Sequence, residues 1–487
     1  MNWGITVSNY WNKSLTTFFL FFLLFVLLTT VQVASWNDAS RMALIQSLVE
    51  YGTFIIDDST FIETGDKVFF DQHFYSDKPP LLSIFASPIY FVLYRLGFSL
   101  KSHEVFTYYL ITLLSVGVLS ALGLMVFRKI IKDFFGAKDD WADLVTLVVG
   151  AGTLLLPYAL LFNNHAPSGV LILIGFYFLL DFRRQATFKK PIYAGLFFSL
   201  AGGIDITQFL FLPFIFGLFA IRSIKAGVTF AIACLPILAL YLFLNFHMFG
   251  NFMPPAMNAS LWDYPGSAFG PETLSALATH DGFADILLYG FHMLLGHRGL
   301  ITHTPLLLLA ILGWVAFYKQ NWGFRYKTEY ICLLFVCFLY MGIYIYKSIN
   351  YSGWAYGVRW FVSPMFLLCF PIAWLENGVR SSRVMRLFFV GVTCLSIFIS
   401  LIGTYKPFTP LPDTDIDSQN QLHPANTIVV AANYIVQDLI APPISTLGKR
   451  KLFLGTRLVI GAIAIYFLFF RFMQNLALIP EKQRNYQ

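Results

Sequence analysis

The chain has 487 residues, of which 57% are hydrophobic and only 12% are charged. Apolar runs of membrane-spanning length recur along it, and this pattern excludes a soluble globular protein. The formal net charge of +7 comes from short basic clusters between the apolar runs, so it does not indicate nucleic-acid binding. The five cysteines all lie inside apolar runs without metal-ligand spacing, which predicts packing roles.

The first apolar run, residues 14–34, is longer than the core of a signal peptide and ends without a convincing cleavage site. It therefore predicts a retained membrane anchor. The polar segment that follows, residues 35–79, is acidic. It opens with a pattern typical of an amphipathic helix along the membrane, in which Met42 and Ile45 share one face.

Basic clusters between the apolar runs orient the chain, because Lys and Arg are enriched in cytoplasmic loops. These clusters are Arg128/Lys129/Lys132/Lys138, Arg183/Arg184/Lys189/Lys190, Arg222/Lys225, Lys319/Arg325/Lys327, Arg380/Arg383/Arg386 and Lys449/Arg450/Lys451. The connections between them are then predicted to face outside. They are residues 35–79, residues 163–165, the neighbourhood of Asp205, residues 247–298, residues 347–359 and the stretch after Tyr405.

The predicted fold class is all-α: a polytopic membrane protein with about 12 transmembrane helices and juxtamembrane helices in its first outer loop. Two neighbouring runs, residues 80–98 and 105–127, must together make one net crossing, so one of them is expected to be tilted, re-entrant or interfacial. Residues 426–443 are either a further span or an outer amphipathic segment. Both termini are predicted to lie inside.

No Gly/Ser linker, low-complexity tract or repeat divides the sequence, so one membrane-integral unit is expected. We predict a membrane-embedded core over residues 1–402 and an outer loop with a connecting segment over residues 403–451. A last transmembrane helix and C-terminal tail are predicted over residues 452–487. Candidate site residues are therefore sought in the outer connections of the core.

Asp38 stands just after the first span, on the first turn of the predicted amphipathic helix and one turn before Arg41. Two roles fit this position. The carboxylate either caps the helix, where the dipole favours a negative charge, or acts as a general base at the membrane surface.

Lys78 directly precedes Pro79-Pro80, where the acidic outer segment turns into an apolar run. Proline suits the first turn of a helix, so the pair should fix the helix start and hold the ammonium at headgroup level. An ammonium held there can bind a lipid-linked phosphate. The alternative is a lysine that only snorkels at a helix end.

Arg298 and Arg359 each stand at the entrance to an apolar run, and both are predicted to face outside. Arginine binds phosphate oxygens in a bidentate manner. Near Arg359, the aromatic rings of Trp354 and Tyr356 are suited to the apolar face of a sugar. The alternatives are interfacial snorkelling of the arginines and an aromatic belt at the headgroups.

Together these features resemble the GT-C superfamily of polytopic glycosyltransferases, in particular the branch of protein O-mannosyltransferases and lipid A aminoarabinose transferases. The resemblance covers residues 1–403. It rests on an Asp-x-x-Arg-x-Ala pattern from Asp38, a Lys-Pro-Pro-Leu entry from Lys78, an Arg-Gly-Leu entry from Arg298, and a Gly-Trp-x-x-Gly-x-Arg segment that ends at Arg359.

The resemblance implies an inverting transferase that takes its sugar from a polyprenyl-phosphate donor and needs no cofactor beyond that substrate. Asp38 would deprotonate the acceptor, while Lys78 with Arg298 or Arg359 would hold the departing phosphate. The charges agree with the chemistry, because a glycosyl transition state places positive charge on the sugar and negative charge on the leaving phosphate.

The chain departs from the resemblance in the second outer turn, where relatives carry an acidic residue and this sequence has Asn163-Asn164-His165. His165 either takes part in proton transfer, orients the acceptor or is a satisfied loop histidine. Asn164 is suited to hydrogen-bonding a sugar hydroxyl. Asp205 is an alternative second carboxylate or a cap of a broken helix. No metal is predicted.

The predicted function is sugar transfer at the outer face of the plasma or inner membrane. The expected partners are a lipid-linked donor, membrane lipids and an acceptor that is a protein, a lipid or a glycan; nucleic acid is not among them. Two other classes remain open: a transporter or flippase of lipid-linked sugars, and a non-catalytic subunit that keeps the fold. A transporter requires polar residues along a transmembrane path, whereas the charges here gather at one surface.

Overall fold

The computed structural model describes residues 3–270, 274, 276–277, 279–296, 298–320, 323–353, 355–405 and 407–408, with side chains from residue 13 onward except at 320 and 405. Trp354, nearly all of the predicted segment 403–451 and the predicted last helix 452–487 lie outside the described residues. The alternatives for residues 426–443 lie there too.

The part of the chain that the structure describes is 71% helical with almost no strand. The helices are α1 (Trp3–Leu28), α2 (Trp36–Gln46), α3 (Leu81–Arg95), α4 (Glu104–Thr112), α5 (Val118–Asp133), α6 (Asp139–Ala151), α7 (Leu155–Ala159), α8 (His165–Arg184), α9 (Lys189–Ile204), α10 (Phe211–Arg222), α11 (Ile224–Phe249), α12 (Phe283–Leu294), α13 (Leu300–His303), α14 (Leu307–Gln320), α15 (Lys327–Tyr346), α16 (Met365–Cys369), α17 (Glu376–Ser381) and α18 (Arg383–Tyr405). The strands are β1 (Lys67–Phe70) and β2 (His73–Ser76), paired antiparallel. The predicted all-α class is confirmed.

Five helical segments in the described part of the chain are long and apolar enough to cross a membrane. They are Glu104–Asp133, His165–Arg184, Ile224–Phe249, Lys327–Tyr346 and Arg383–Thr404. Shorter apolar helices accompany them, as expected of a polytopic protein. One of these is α3, whose 15 residues extend over about 22 Å, less than the hydrocarbon core of a bilayer. This length favours α3 as the segment that does not span.

The first polar segment, predicted to face outside, folds into α2 and the β1–β2 hairpin. The hairpin loop has positive φ at Asp71 (49°) and Gln72 (66°), as a two-residue type I′ turn requires. Strand β2 leads directly to Lys78, and α3 begins at Leu81, with Pro80 as its N-cap. The double proline therefore marks the helix start, as predicted.

Helix α2 has no exposed polar face, so the prediction of an amphipathic helix is wrong; its position along the membrane stays a prediction. All its residues from Asn37 to Gln46 are buried, and it packs against α3 and β2. The physical reason is that polar groups on both of its sides are paired with protein rather than with water. A π-helical turn, Ser47–Tyr51, continues the helix and ends at Gly52 in the left-handed conformation (φ 68°).

Helix α8 approaches the chain after Arg359 so closely that only glycine fits at the contact. A Cβ on Gly169 would lie 2.6 Å from the backbone oxygen of Ser363. Hydrogen bonds reinforce the contact: the Ser363 hydroxyl donates to the His165 carbonyl (3.0 Å) and lies 2.9 Å from the Ser168 hydroxyl. This packing places the first turn of α8 beside the 3₁₀ turn Arg359–Val362.

We expect Gly169→Ala to lower the midpoint of thermal unfolding in detergent, by the equivalent of about 1–3 kcal/mol, because overpacking against backbone is not relieved by a rotamer change. Gly217→Ala is the matched control, since nothing lies within 4 Å of a Cβ built there and alanine favours the helix. Equal midpoints for the two variants would contradict the close contact.

The first predicted cytoplasmic cluster is held by ion pairs between α5 and α6 and by a hydrogen bond to α1. The Arg128 side chain is fully buried; it donates to the carboxylate of Asp143 and, at 3.0 Å, to that of Asp139. Lys132 pairs with Asp139 at 2.7 Å, and Arg128 also donates to the Ser14 hydroxyl at 3.3 Å. These pairs join three helices at one end of the bundle.

Candidate active site

Polar side chains from five parts of the chain meet on the predicted outer side. They come from α2, the segment between β2 and α3, the start of α8, the break between α9 and the 3₁₀ turn Ile206–Leu210, and residues 352–363. The candidate site is defined here by the charged groups Arg41, Lys78, Asp205 and Arg359 together with His165.

Asp38 is buried and its carboxylate is held by four hydrogen-bond donors. The backbone and side chain of Ser35 donate to Oδ1 at 2.7 and 2.6 Å, and the Ala34 amide donates to Oδ2 at 2.8 Å. The hydroxyl of Tyr108 donates to Oδ2 at 2.9 Å. Ser35 and Asp38 form a capping box at the start of α2. Burial raises the pKa of Asp38, although these hydrogen bonds oppose the shift.

Arg41, one turn after Asp38, points into the candidate site. Its guanidinium donates to the carbonyl and side-chain oxygens of Asn37 and, at 2.9 Å, to Oδ1 of Asn164. Burial and the charge of Arg359 lower the pKa of Arg41 to about 10, against the opposing influence of Asp77. Arg41 therefore stays protonated at neutral pH, next to a second arginine.

Lys78 bridges two carboxylates. Its ammonium lies 2.7 Å from Asp66 and 2.6 Å from Asp77. The hydroxyl of Ser40 donates to Asp77 at 3.2 Å, which connects this group to α2. Burial raises the pKa of Asp77, and Lys78 opposes the shift. The ammonium of Lys78 is thus paired with carboxylates in this structure, and its contact with a phosphate stays a prediction.

His165 and Asp205 form a buried pair, with Nδ1 of the imidazole 2.8 Å from Oδ2 of the carboxylate. Asp205 also accepts hydrogen bonds from Thr207 at 2.8 Å and from Gln208 at 3.3 Å. It stands where α9 ends and the 3₁₀ turn begins, but its side chain makes no capping hydrogen bond there and faces His165 instead. The charges of Arg41 and Arg359 act on the same imidazole.

Arg359 follows a segment with several residues in the left-handed conformation, among them Ser352 (φ 69°) and Gly353 (φ 73°). Its backbone amide donates to the Ser352 hydroxyl at 3.2 Å. Its guanidinium lies over the ring of Phe408, 5.4 Å from the centroid, and makes no hydrogen bond to a described residue. Arg359 is the cation whose charge reaches both Arg41 and His165.

Arg298 is buried and contacts the segment that precedes Arg359. Its guanidinium donates to the carbonyl of Ala355, and burial lowers its pKa to about 10. The charges of Arg298 and Arg359 both act on Tyr158, so both arginines lie near one tyrosine. Arg298 supports the segment that leads to Arg359, and its direct contact with a phosphate stays a prediction.

Tyr356 is fully buried; its hydroxyl donates to the Ile399 carbonyl at 2.8 Å and its ring packs edge-on against His303. These contacts are those of a packing residue, and a role in binding sugar stays a prediction. A different aromatic pair lies at the site: Tyr344 stacks on Trp360 with centroids 4.4 Å apart. The Tyr344 hydroxyl lies 3.3 Å from that of Thr207, beside Asp205.

Three polar atoms of this region are buried without a hydrogen-bond partner in the described structure: Nε of Arg41, Nε of Arg359 and Oε1 of Gln208. Buried polar groups are normally paired. Two of the three belong to guanidinium groups whose charges interact. Because such groups are satisfied best by an anion, their convergence indicates a site for an acidic ligand.

No protein-family model and no curated protein sequence matches the chain. Solved structures do. ArnT from Cupriavidus metallidurans, bound to undecaprenyl phosphate, matches with a TM-score of 0.51 and 12% identity, over 97% of this chain and 77% of that one. The apo oligosaccharyltransferase of Archaeoglobus fulgidus matches with a TM-score of 0.50 and 12% identity, over 82% and 56%.

AglB of Archaeoglobus fulgidus, an oligosaccharyltransferase in complex with an inhibitory peptide and a dolichol-phosphate, matches with a TM-score of 0.50 and 11% identity, over 84% of this chain and 57% of that one. The chain thus spans just over half the length of the archaeal proteins. The fold is GT-C-like. The predicted resemblance is confirmed at the level of fold.

Within this GT-C-like fold the structure adds residues that the sequence analysis did not select. For Arg41 the signal in the sequence is the Asp-x-x-Arg spacing, which places it one turn after Asp38. For Asp66 and Asp77 the only signal is the acidic composition of residues 35–79. Asp205 was an alternative, and its glycine-rich approach, Gly202-Gly203, was the signal for a helix end near the site.

The site offers no evident metal centre. Among the described residues there is no group of three or more His, Cys, Asp or Glu side chains placed to hold an ion. The acidic groups nearest the site, Asp66 and Asp77, are already bridged by Lys78. The prediction that no metal is needed stays a prediction.

Proposed function

We propose that this GT-C-like protein transfers a sugar from a polyprenyl phosphate to an acceptor on the outer face of the membrane, with inversion at the anomeric carbon. One observation carries the proposal: Arg41 and Arg359 present unpartnered Nε atoms beside the buried His165–Asp205 pair. A leaving phosphate needs such cations, and an acceptor hydroxyl needs a neighbouring base.

The membrane setting supports a lipid-linked donor. Burial of a prenyl chain in lipid contributes about 0.8 kcal/mol for each CH₂ group, so it would hold the phosphate at the level of the site. Two solved proteins with this fold were bound to undecaprenyl phosphate and to a dolichol-phosphate. For the present chain, a polyprenyl phosphate is the donor carrier that fits both the cations and the apolar surroundings.

The acceptor proton requires a base, and two residues were predicted for this role, Asp38 and His165. Asp38 is held by four donors in a capping box, whereas the structure pairs His165 with one carboxylate. Either side chain could accept the proton of the acceptor hydroxyl during sugar transfer.

The proposal is tested with the purified protein in lipid nanodiscs and a panel of undecaprenyl-phosphate sugars carrying mannose, glucose, galactose or aminoarabinose. Water serves as the acceptor, so release of undecaprenyl phosphate and free sugar reports turnover. The free sugar from the active donor should have inverted configuration. We expect one donor to turn over faster than in empty nanodiscs. Movement of the intact donor between leaflets without release would favour the transporter class, and no release from any donor would contradict the proposal.

We expect Arg359→Ala to raise KM for the active donor by about 10- to 100-fold, because one charge-assisted contact to phosphate is lost. Arg95→Ala is the matched control. That exposed residue ends α3 and stacks on Phe91, so its removal should leave KM unchanged. An equal KM in the two variants would show that Arg359 does not bind the phosphate.

A further inference from the structure

We propose that His165 accepts the acceptor's proton and that Asp205 is its positioning residue; this inference rests on the transferase activity proposed above. The geometry is that of an imidazole oriented by a carboxylate, with Nδ1 and Oδ2 2.8 Å apart. Such a pair fixes the ring and stabilises the imidazolium that forms when a proton is taken up. The sequence resemblance placed the base at Asp38 instead.

The backbone around His165 is fixed on both sides. Its amide donates to the side chain of Asn163 at 3.0 Å, and its carbonyl accepts from the hydroxyls of Ser168 (3.1 Å) and Ser363 (3.0 Å). The side chain therefore leaves the first turn of α8 in a defined direction. General base catalysis depends on such positioning, because the base must lie within hydrogen-bond reach of the proton.

Asp205 is held as firmly as the imidazole. Thr207 donates to its Oδ1 and Gln208 to its Oδ2, the atom that faces Nδ1. With Asp205 ionised, the proton of the neutral imidazole lies on Nδ1, and this N–H donates a hydrogen bond to the carboxylate. Nε2 is then the basic nitrogen, and in the described part of the chain it makes no hydrogen bond. That nitrogen is available to an acceptor hydroxyl.

Asp38 is a weaker choice because its lone pairs are occupied. Two donors reach each of its oxygens, and an ionised carboxylate offers about four such positions. Uptake of a proton would break at least one of these bonds and weaken the start of α2. No ion pair joins Asp38 to Arg41 or to any other cation of the described chain, so its charge serves the helix end.

The proposed step is a single displacement. The acceptor oxygen forms a bond to the anomeric carbon while its proton moves to Nε2 of His165. The bond between that carbon and the phosphate oxygen breaks, and its electron pair stays on the phosphate, which leaves as polyprenyl phosphate beside Arg41 and Arg359. Atoms and charge balance: the imidazole gains one proton, and the leaving phosphate gains one negative charge.

The test compares His165→Ala and Asp205→Asn with His103→Ala and Asp263→Asn. The last two remove a histidine and an aspartate from exposed positions. The wild-type protein and all variants are assayed with the active donor of the panel, and binding of undecaprenyl phosphate is measured separately. We expect kcat to fall by about 100- to 10,000-fold in the two site variants, with undecaprenyl phosphate binding within about threefold of wild type.

Two further measurements separate proton transfer from a structural role. Added imidazole should restore part of the kcat of His165→Ala and should leave the kcat of the control variants unchanged. Asp205→Glu should recover more activity than Asp205→Asn, since it returns a carboxylate to Nδ1. If His165→Ala does not fold, His165→Gln replaces it. The comparison of Asp205→Glu with Asp205→Asn still tests whether a carboxylate at Nδ1 is needed.

The possible failures are distinguishable. If the wild-type protein releases sugar from no donor, the proposed function itself is wrong. If it is active and His165→Ala or His165→Gln keeps its kcat, or loses activity only through KM, the assignment of the base to His165 is overturned while the transferase stands. If Asp205→Glu is no more active than Asp205→Asn, the positioning role of Asp205 is overturned.

Discussion

Arg41→Ala is expected to weaken binding of undecaprenyl phosphate by about 100-fold or more, equivalent to about 2.8 kcal/mol. Arg41 is buried with its Nε unpartnered, beside the charge of Arg359. Arg41 is buried and Arg359 is half-buried, so their like charges destabilise one another, and an anion bound beside both relieves this repulsion. Replacing Arg41 with alanine therefore removes a contact to the phosphate and also much of the electrostatic attraction for the anion.

Arg41→Lys sharpens this test, because it keeps the charge and removes the planar fork that binds two oxygens at once. We expect it to lose about 10-fold in binding, between wild type and Arg41→Ala. Binding is measured with undecaprenyl phosphate in nanodiscs and with undecaprenol as the uncharged control ligand. If Arg41→Ala keeps wild-type affinity, or loses affinity for undecaprenol to the same degree, Arg41 is not a phosphate ligand.

Arg41 is also part of the fold, so its variants need a check of stability. It donates to Asn37 within α2 and to Asn164 at the start of α8, and an alanine removes these hydrogen bonds. The midpoint of thermal unfolding, measured without ligand, separates this effect from binding. Asn164→Ala removes the same inter-helix hydrogen bond without removing the charge, and it should keep most of the affinity.

The sequence was sufficient to predict the class of fold because composition and charge act over long segments. Apolar runs indicate spans wherever they occur, and the resemblance in the outer motifs added the GT-C-like architecture. The same reasoning placed Lys78 at a helix start, since proline restricts the local backbone. These predictions need no knowledge of which side chains meet in space.

The arrangement of the site could not be predicted in this way, because it depends on contacts between distant parts of the chain. His165 and Asp205 are 40 positions apart, and nothing in the intervening helices signals that their side chains meet. Lys78 stands beside Asp77 in the sequence, but its second partner, Asp66, is brought to it by the β1–β2 hairpin. The burial of α2 was missed for the same reason.

Asp143→Ala is expected to lower the stability of the protein by about 3–5 kcal/mol, because it leaves the buried charge of Arg128 without its main partner. The Arg128 side chain has no exposed surface, and that of Asp143 is only 7% exposed. The second carboxylate, Asp139, is 36% exposed and is shared with Lys132 at 2.7 Å, so it can compensate only in part. The midpoint of thermal unfolding in detergent measures the effect.

A double variant, Arg128→Met with Asp143→Leu, distinguishes loss of a buried pair from loss of packing. Replacing both charges by apolar groups of similar volume removes the unpaired charge, so the double variant should recover most of the stability lost in Asp143→Ala. Lys138→Ala is the exposed control; its ammonium lies 3.9 Å from Glu376 and its side chain is 73% exposed, so a change of about 0–1 kcal/mol is expected. A double variant as unstable as Asp143→Ala would mean that the two side chains contribute through shape rather than charge.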